Sequence, residues 1–506
     1  MALLLAHDLG TSGNKATLYR EDGTLVGSRL YEYDTHYFNG NWAEQNAEDW
    51  WQAVCHTTRE LMQGIAPGEL AAVSFSGQMM GCLCVDGDGT PLRPAIIWAD
   101  QRAVRQMDEV TARVGAERIY RITGHRPSAS YSLAKLLWVR DNEPEVYART
   151  ARMLHCKDFI VHRLTGRFVT DHSDASGTNL FDLNALQWSR QIIDAAGIRP
   201  DLLPEAVPST TVVGKVTATA AAQTGLPEGL PVVFGGGDGV CAAVGAGCVA
   251  PGDAYNYVGS SSWIAYAARK PLFDADMRTF NWAHMVPGLI TPCGTMQAAG
   301  ASYQWARNIL CEEERSLAAE GGGSVYDRMN ALAAQSPVGS NGLIYLPYLM
   351  GERSPRWNPD ARGCFLGIKM EHTKADLLRA VLEGVTMNLA VILNIFRESG
   401  DIRELTVIGG GAKGLLWRQM MADVYGLPVR MPAYLEEATS MGAAIAAGVG
   451  VGLYADFSVI SAFNRTVDTL QPDPANHAKY RKLGVAFDAS YEAMRGTYGM
   501  LANLTL

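Results

Sequence analysis

The sequence predicts an α/β protein of two large domains that face a common cleft. Three observations predict it. The chain has 506 residues, more than one hydrophobic core usually holds. Short apolar runs ending in glycine-rich polar turns alternate with stretches of helical periodicity. The strand–turn–strand pattern of residues 3–19 recurs at residues 254–267, where a duplicated domain would place it.

Composition bounds the function. Hydrophobic residues make up 48% of the chain and the net charge is −9, typical of a globular protein and contrary to a nucleic-acid binder. A phosphate ligand stays open, because it needs only a local field and backbone N–H groups. Nine cysteines include no CxxC pair, which points to reduced core thiols in a reducing compartment. The ten histidines show no metal-ligand spacing. The start of the chain has no basic region before Asp8. The longest apolar stretch, Val381 to Phe396, is interrupted by Glu383, Asn388 and Asn394. A soluble cytoplasmic protein with no membrane or nucleic-acid partner is expected.

Taken in order, Leu3 to Ala6 is the first strand and Ala16 to Tyr19 the second. The turn between them carries Asp8, Thr11, Ser12 and Lys15, a mix of acid, hydroxyls, cation and glycine N–H groups suited to phosphate. It is not a Walker A loop, since no GxxxxGK[ST] occurs. Glu48 to Met62 reads as a helix, and Ala71 to Phe75 as a strand delivering Gln78, Met79 and Met80 to its end. Trp98 and Asp100 follow another strand; Trp98 could stack on a sugar ring, though core packing is the commoner use of tryptophan. The polar stretch Phe168 to Thr178 lacks calcium-loop spacing and reads as a structural loop.

Pro231 to Phe234 is an apolar strand that stops at Gly235-Gly-Gly and one carboxylate, Asp238. Glycines there let backbone approach a ligand, and the acid is a candidate general base. The alternative is an ordinary strand-to-helix turn with Asp238 as N-cap. The domain boundary falls near Gly245–Pro251, giving domains 1–247 and 248–506. After it, Gly259 and Ser260 form a second polar turn, and Gly300 opens a helix containing Gln304. A long helix begins at Thr373 with a capping-box pattern to Asp376 and an apolar stripe from Leu377 to Phe396. Leu405 to Ile408 then meets Gly409, Gly410, Gly411, Ala412, Lys413 and Gly414, which satisfies G-x-G-x-x-G. That pattern fits a nicotinamide-dinucleotide site, and it equally fits a glycine platform against an adenine ring.

These motifs together resemble the FGGY family of carbohydrate kinases, and within it most the xylulokinases. The resemblance runs from Leu3 to about Gly450. It rests on Asp8-Leu-Gly-Thr-Ser-Gly, Trp42-Ala-Glu-Gln-Asn, Ser76-Gly-Gln-Met, Thr170-Asp-His-Ser-Asp-Ala-Ser-Gly-Thr, Gly235-Gly-Gly-Asp, Gly300-Ala-Ser-Tyr-Gln-Trp, Leu346-Pro-Tyr-Leu-Met-Gly-Glu-Arg and Gly409-Gly-Gly-Ala-Lys. It implies two ribonuclease-H-like domains of the actin/hexokinase type and ATP-dependent phosphorylation of a sugar hydroxyl, with D-xylulose as the default. Asp238 then falls on the catalytic base and Asp8 on the acid that holds Mg²⁺. Thr11, Ser12, Lys15, Gly259 and Ser260 fall on the phosphate turns. Gly300, Gln304, Gly410, Gly411 and Ala412 fall beside the nucleotide. Gln78, Met79, Met80, Trp98 and Asp100 fall on the sugar side, and a homodimer is expected. Two positions depart from the xylulokinase pattern: Met80 stands where His is usual, and Gly239 where Asn is usual. Both remove groups that would bond sugar hydroxyls. The competing readings are an NAD-dependent oxidoreductase built on Gly409–Gly414 and a non-catalytic actin-like nucleotide-binding scaffold.

Overall fold

Two seven-stranded sheets carry the chain, seen in a computed structural model that describes residues 1–321 and 323–504. The first sheet contains β1 (Leu3–Leu9), β2 (Gly13–Arg20), β3 (Leu25–Glu32), β4 (Leu70–Gly77), β5 (Val212–Lys215) and β6 (Pro231–Val233). Its order is β3-β2-β1-β4-β6-β5, with the short strand Gly236–Gly237 also pairing β4. β1 and β4 are buried at all but one position each, as parallel neighbours in the middle of a covered sheet must be.

β1 runs three residues further than its apolar run predicts. His7 is fully buried, within hydrogen-bond distance of Asn14 Nδ2 (3.1 Å) and Thr58 Oγ1 (3.2 Å), and burial pushes its pKa down to about 4. A neutral, partnered imidazole costs the strand little, so pairing continues. Asp8 therefore sits in the strand, opposite Lys15 on β2, and the turn shrinks to Gly10–Ser12.

The second sheet contains β7 (Ala254–Val258), β8 (Ser262–Tyr266), β9 (Phe280–Ala283), β10 (Ile290–Met296), β11 (Leu405–Ile408), β12 (Val429–Pro432) and β13 (Thr466–Leu470). Its order is β9-β10-β8-β7-β11-β12-β13. From β10 to β13 the directions are antiparallel, antiparallel, parallel, parallel, antiparallel. The first sheet shows the same sequence of directions from β3 to β5. The recurrence read from two turns thus extends to six strands, and the chain folds as two units of the actin/hexokinase type.

The helices packed around these sheets include α1 (Ala47–Leu61), α2 (Cys156–Thr165), α3 (His172–Ser176), α4 (Asp238–Gly245), α5 (Gly300–Leu310), α6 (Lys374–Arg397), α7 (Leu415–Tyr425), α8 (Ala438–Gly450) and α9 (Pro474–Ala502). Thr373 and Asp376 close the predicted capping box at the start of α6. By length and composition α6 could cross a membrane, yet its apolar stripe packs in the core of the second unit. The small-residue helix α8 lies against β1, β4 and α4 of the first sheet. Its approach to α4 is backbone-close. A Cβ on Gly245 would stand 1.8 Å from Ala438 O, and one on Gly442 would stand 2.1 Å from Cys241 O. This glycine-to-backbone seam forms a shared core between the halves.

Candidate active site

A cavity of about 430 Å³ opens where the glycine turns of the two sheets face each other. Thr11, Ser12, Met79, Met80, Trp98, Asp238 and Gly239 line it from the first half. Ser260, Ser261, Trp263, Trp282 and Arg353 line it from the second.

Local chain geometry puts Asp238 there. β6 leads through Phe234 to Gly235, which has φ +81° and packs so close to β4 that a Cβ would stand 1.8 Å from Phe75 O. Gly236 and Gly237 then pair with Ser76 and Gly77. Gly237, not Asp238, is the N-cap of α4, and Asp238 is its first residue. The Asp238 carboxylate accepts a 2.7 Å bond from the Gly239 N–H. Its pKa is pushed up to about 7, chiefly by burial and then by the Asp8 charge, against the Gly239 bond. A carboxylate poised near neutrality is suited to accept a proton.

Asp8 accepts a 2.9 Å bond from Ser76 Oγ. Burial raises its pKa, while that bond and the Lys15 charge lower it. The Asp8 charge acts on both Asp238 and Tyr257, so the two acids share one region of the cleft. Asp8 itself lines neither this cavity nor the one beside it; two buried carboxylates close enough for one charge to act on the other favour a hard divalent cation with oxygen ligands.

A second cavity, about 720 Å³, adjoins the first through Ser260. Gly259, Gly300, Gln304, Gly410 and Gly411 line it, with Tyr303, Tyr326 and Trp417. Glycine is required at its narrow points. A Cβ on Gly300 would stand 2.4 Å from Gly259 O, and one on Gly411 would stand 2.3 Å from Val258 Cγ1. Ala412 is fully buried behind this wall and does not line it. A third cavity, about 930 Å³, lies at the opposite ends of the same strands among Asp253, Arg269, Lys270, Arg403 and Arg430. Neither acid nor either turn borders it, so its size gives it no part in the chemistry.

Trp98 donates from Nε1 to Thr11 Oγ1 at 2.8 Å, joining the sugar-side wall to the first turn. Met80 holds φ +63°, and the buried Lys135 donates to its carbonyl at 2.7 Å. Three expected contact residues lie elsewhere. Gln78 is buried and donates to Gln45 Oε1 at 2.7 Å; Gln45 in turn donates to Thr11 O at 2.6 Å. It supports the first turn from below. Asp100 is fully buried and committed to Arg102, with a 2.7 Å ion pair, and to the Ala43 N–H. Lys15 pairs with Glu437 at 3.2 Å and borders neither cavity. Polar type and position after a strand suggested these residues, but direction off the strand assigns them to support.

Other residues in the site carried no periodic signal. Arg353 follows the Gly351-Glu turn and reaches the wall with its Nε unpartnered. Gln45 lies in the Trp42-to-Asn46 stretch, whose spacing alone gives it no role. The strand-and-helix unit carrying Gly409 to Gly414 has one parallel crossover, β11-α7-β12, after which β13 returns antiparallel. Glu436 and Glu437, the acids a dinucleotide ribose would need, are paired with Lys413 and Lys15.

Residues 3–245 match the model of the FGGY family of carbohydrate kinases, N-terminal domain, and residues 254–451 that of its C-terminal domain. A xylulose kinase of Staphylococcus epidermidis is 33% identical over 99% of this chain and 99% of its own. A gluconokinase of Bacillus subtilis is 30% identical over 99% of this chain and 98% of its own. The crystal structure of ligand-bound xylulose kinase from Lactobacillus acidophilus superposes with TM-score 0.92 at 27% identity, covering 99% of this chain and all of that one.

Proposed function

We propose that this chain, which belongs to the FGGY family of carbohydrate kinases and is an ATP-dependent sugar kinase, phosphorylates a pentulose, D-xylulose by default, with Asp238 as base. The observation that carries the reading is Asp238 at the wall of a cavity bounded by both polar turns, with Asp8 close enough to raise its pKa. In this reading residues 1–247 hold the sugar and the base, and residues 248–506 the nucleotide.

The sugar lies against Trp98, Met79 and Met80. Its reacting hydroxyl donates to Asp238 and its oxygen attacks the γ-phosphorus of ATP. The bond from phosphorus to the β-phosphate oxygen breaks, ADP leaves, and the hydroxyl proton passes to Asp238. Hydroxyls and N–H groups of Thr11, Ser12 and Ser260 hold the phosphate oxygens, while the Gly259 N–H closes the second turn onto Ser261 O at 2.9 Å. Gly300, Gln304, Gly410 and Gly411 form the nucleotide cavity. Asp8 would hold Mg²⁺, which when bound neutralises charge on the transferring group. The aromatic walls keep water from competing for the phosphoryl group.

A sugar acid is the second reading. Arg353 stands in the wall with Nε unpartnered, a Cβ on Gly239 would meet nothing within 4 Å, and a gluconokinase is among the relatives. ADP release measured over ketopentoses, polyols and D-gluconate separates the two. D-Xylulose is expected to give the highest kcat/KM. A preference for D-gluconate that Arg353→Gln abolishes would install the second reading. ADP release unaffected by every compound would refute both.

A further inference from the structure

The turn that presents Asp238 is held from behind by a buried polar chain that touches neither cavity. The stretch that reads as a polar loop, Phe168 to Thr178, is instead a short strand, Val169–Asp171, running into α3, and its polar side chains other than His172 are buried. The Lys157 ammonium of α2 lies 2.5 Å from Asp171 Oδ1 and 2.7 Å from Asp174 Oδ2, and all three side chains are fully buried. Asp171 Oδ2 accepts from Ser173 Oγ at 2.5 Å and from Ser209 Oγ at 2.8 Å. Ser173 Oγ accepts the Gly237 N–H at 2.9 Å, one residue before Asp238. Lys157 also stands 4.2 Å from the Phe234 ring, at the other end of the same turn.

His155, Asp158 and Asp174 could on spacing alone hold a metal ion. The lysine already supplies the positive charge, 2.7 Å from Asp174 and 4.0 Å from Asp158. Burial alone would lower the Lys157 pKa, but the three carboxylates override it and raise it, so the ammonium keeps its charge. Apolar residues of the same volume would commonly give as much stability as such a buried ionic group. What the chain supplies that apolar packing could not is a fixed hydrogen-bond acceptor under Gly237. A base displaced by about 1 Å can lose two orders of magnitude in rate.

We propose that Ser173, fixed by Asp171 and Lys157, is a positioning residue that sets the Asp238 carboxylate through the Gly237 N–H. This rests on the reading of Asp238 as the base.

The test is a double-mutant cycle on the full chain. Wild type, Ser173→Ala, Asp238→Asn and the double variant are compared by ADP release with D-xylulose or whichever panel sugar serves best, by KM for ATP, and by Tm. Ser209→Ala is the control, because it loses a bond to the same Asp171 oxygen without touching Gly237 through its side chain. Ser173→Ala is expected to lower kcat about 10- to 100-fold, to leave KM for ATP within about twofold, and to add nothing in the Asp238→Asn background. Ser209→Ala is expected to stay within about threefold of wild type. Ser173→Cys keeps the side-chain shape with a slightly larger atom that accepts weakly, and carries the test if the alanine variant does not fold. Wild-type kcat in the Ser173 variants overturns the proposal, and so does an equal loss in both Asp238 backgrounds. Near-normal turnover in Asp238→Asn, where Ser173 is intact, overturns the reading beneath it instead.

Discussion

Asp238 is a carboxylate whose surroundings resist its charge. With a pKa near 7 in place of the ordinary carboxylate value, it is largely protonated in mild acid and ionised above neutrality. A base must be ionised to act, so kcat/KM for the sugar is expected to fall about tenfold per unit as pH drops below about 7. Stability responds in the opposite sense. The folded pKa lies above the unfolded one, so the folded state binds the extra proton and stability declines as pH rises through that interval. Asp238→Asn removes this cost. Its Tm, measured without metal, is expected to exceed wild type at pH 8, with the gap narrowing at pH 5. A gap independent of pH contradicts the assignment. The three glycines and the acid made this residue legible in sequence. Its neighbours were less so: Gln78 and Asp100 have the right type and place but turn into the structure, and Arg353 arrives from a loop that no periodicity marks.

At the scale of single elements, the cavity proposed for the nucleotide is shaped by how close backbone must come to backbone. The Gly300 entry to α5 packs on the Gly259 turn, with room for hydrogen but not for a methyl group. Gly300→Ala is expected to raise KM for ATP at least about tenfold while KM for the sugar stays within about twofold, since the added carbon displaces the second turn and not the first. Initial rates with each substrate varied in turn check this; an equal rise in both constants contradicts it. The same physics explains why G-x-G-x-x-G was ambiguous. Adenine and a pyrophosphate both ask for backbone without Cβ atoms, so the motif reports a close approach and not its ligand. Strand direction weighs against the dinucleotide reading, because β13 returns antiparallel after a single crossover.

Over the whole molecule, two similar sheets press their glycine turns together across one cleft. Alternating apolar strands and the second polar turn exposed the duplication, and the capped, striped α6 was legible from end to end. The extent of β1 was hidden because a buried histidine looks like a strand terminator until its partners on β2 and α1 are known. The polar stretch that contains α3 was hidden for the same reason: its Asp171 bonds a lysine 14 residues earlier, a pairing no local pattern reveals. The helix α9 carries four buried aromatics in 29 residues, too sparse a stripe for periodicity to mark. What the fold accomplishes on the proposed reading is convergence, with a base from one half and a nucleotide cavity from the other sharing Ser260 at their border. The most direct measurement of that claim is sugar-dependent ADP release by Asp238→Asn at saturating ATP. Its kcat is expected to fall by about 10²–10⁴ with ATP affinity retained, and turnover close to wild type would contradict the assignment of Asp238 as base.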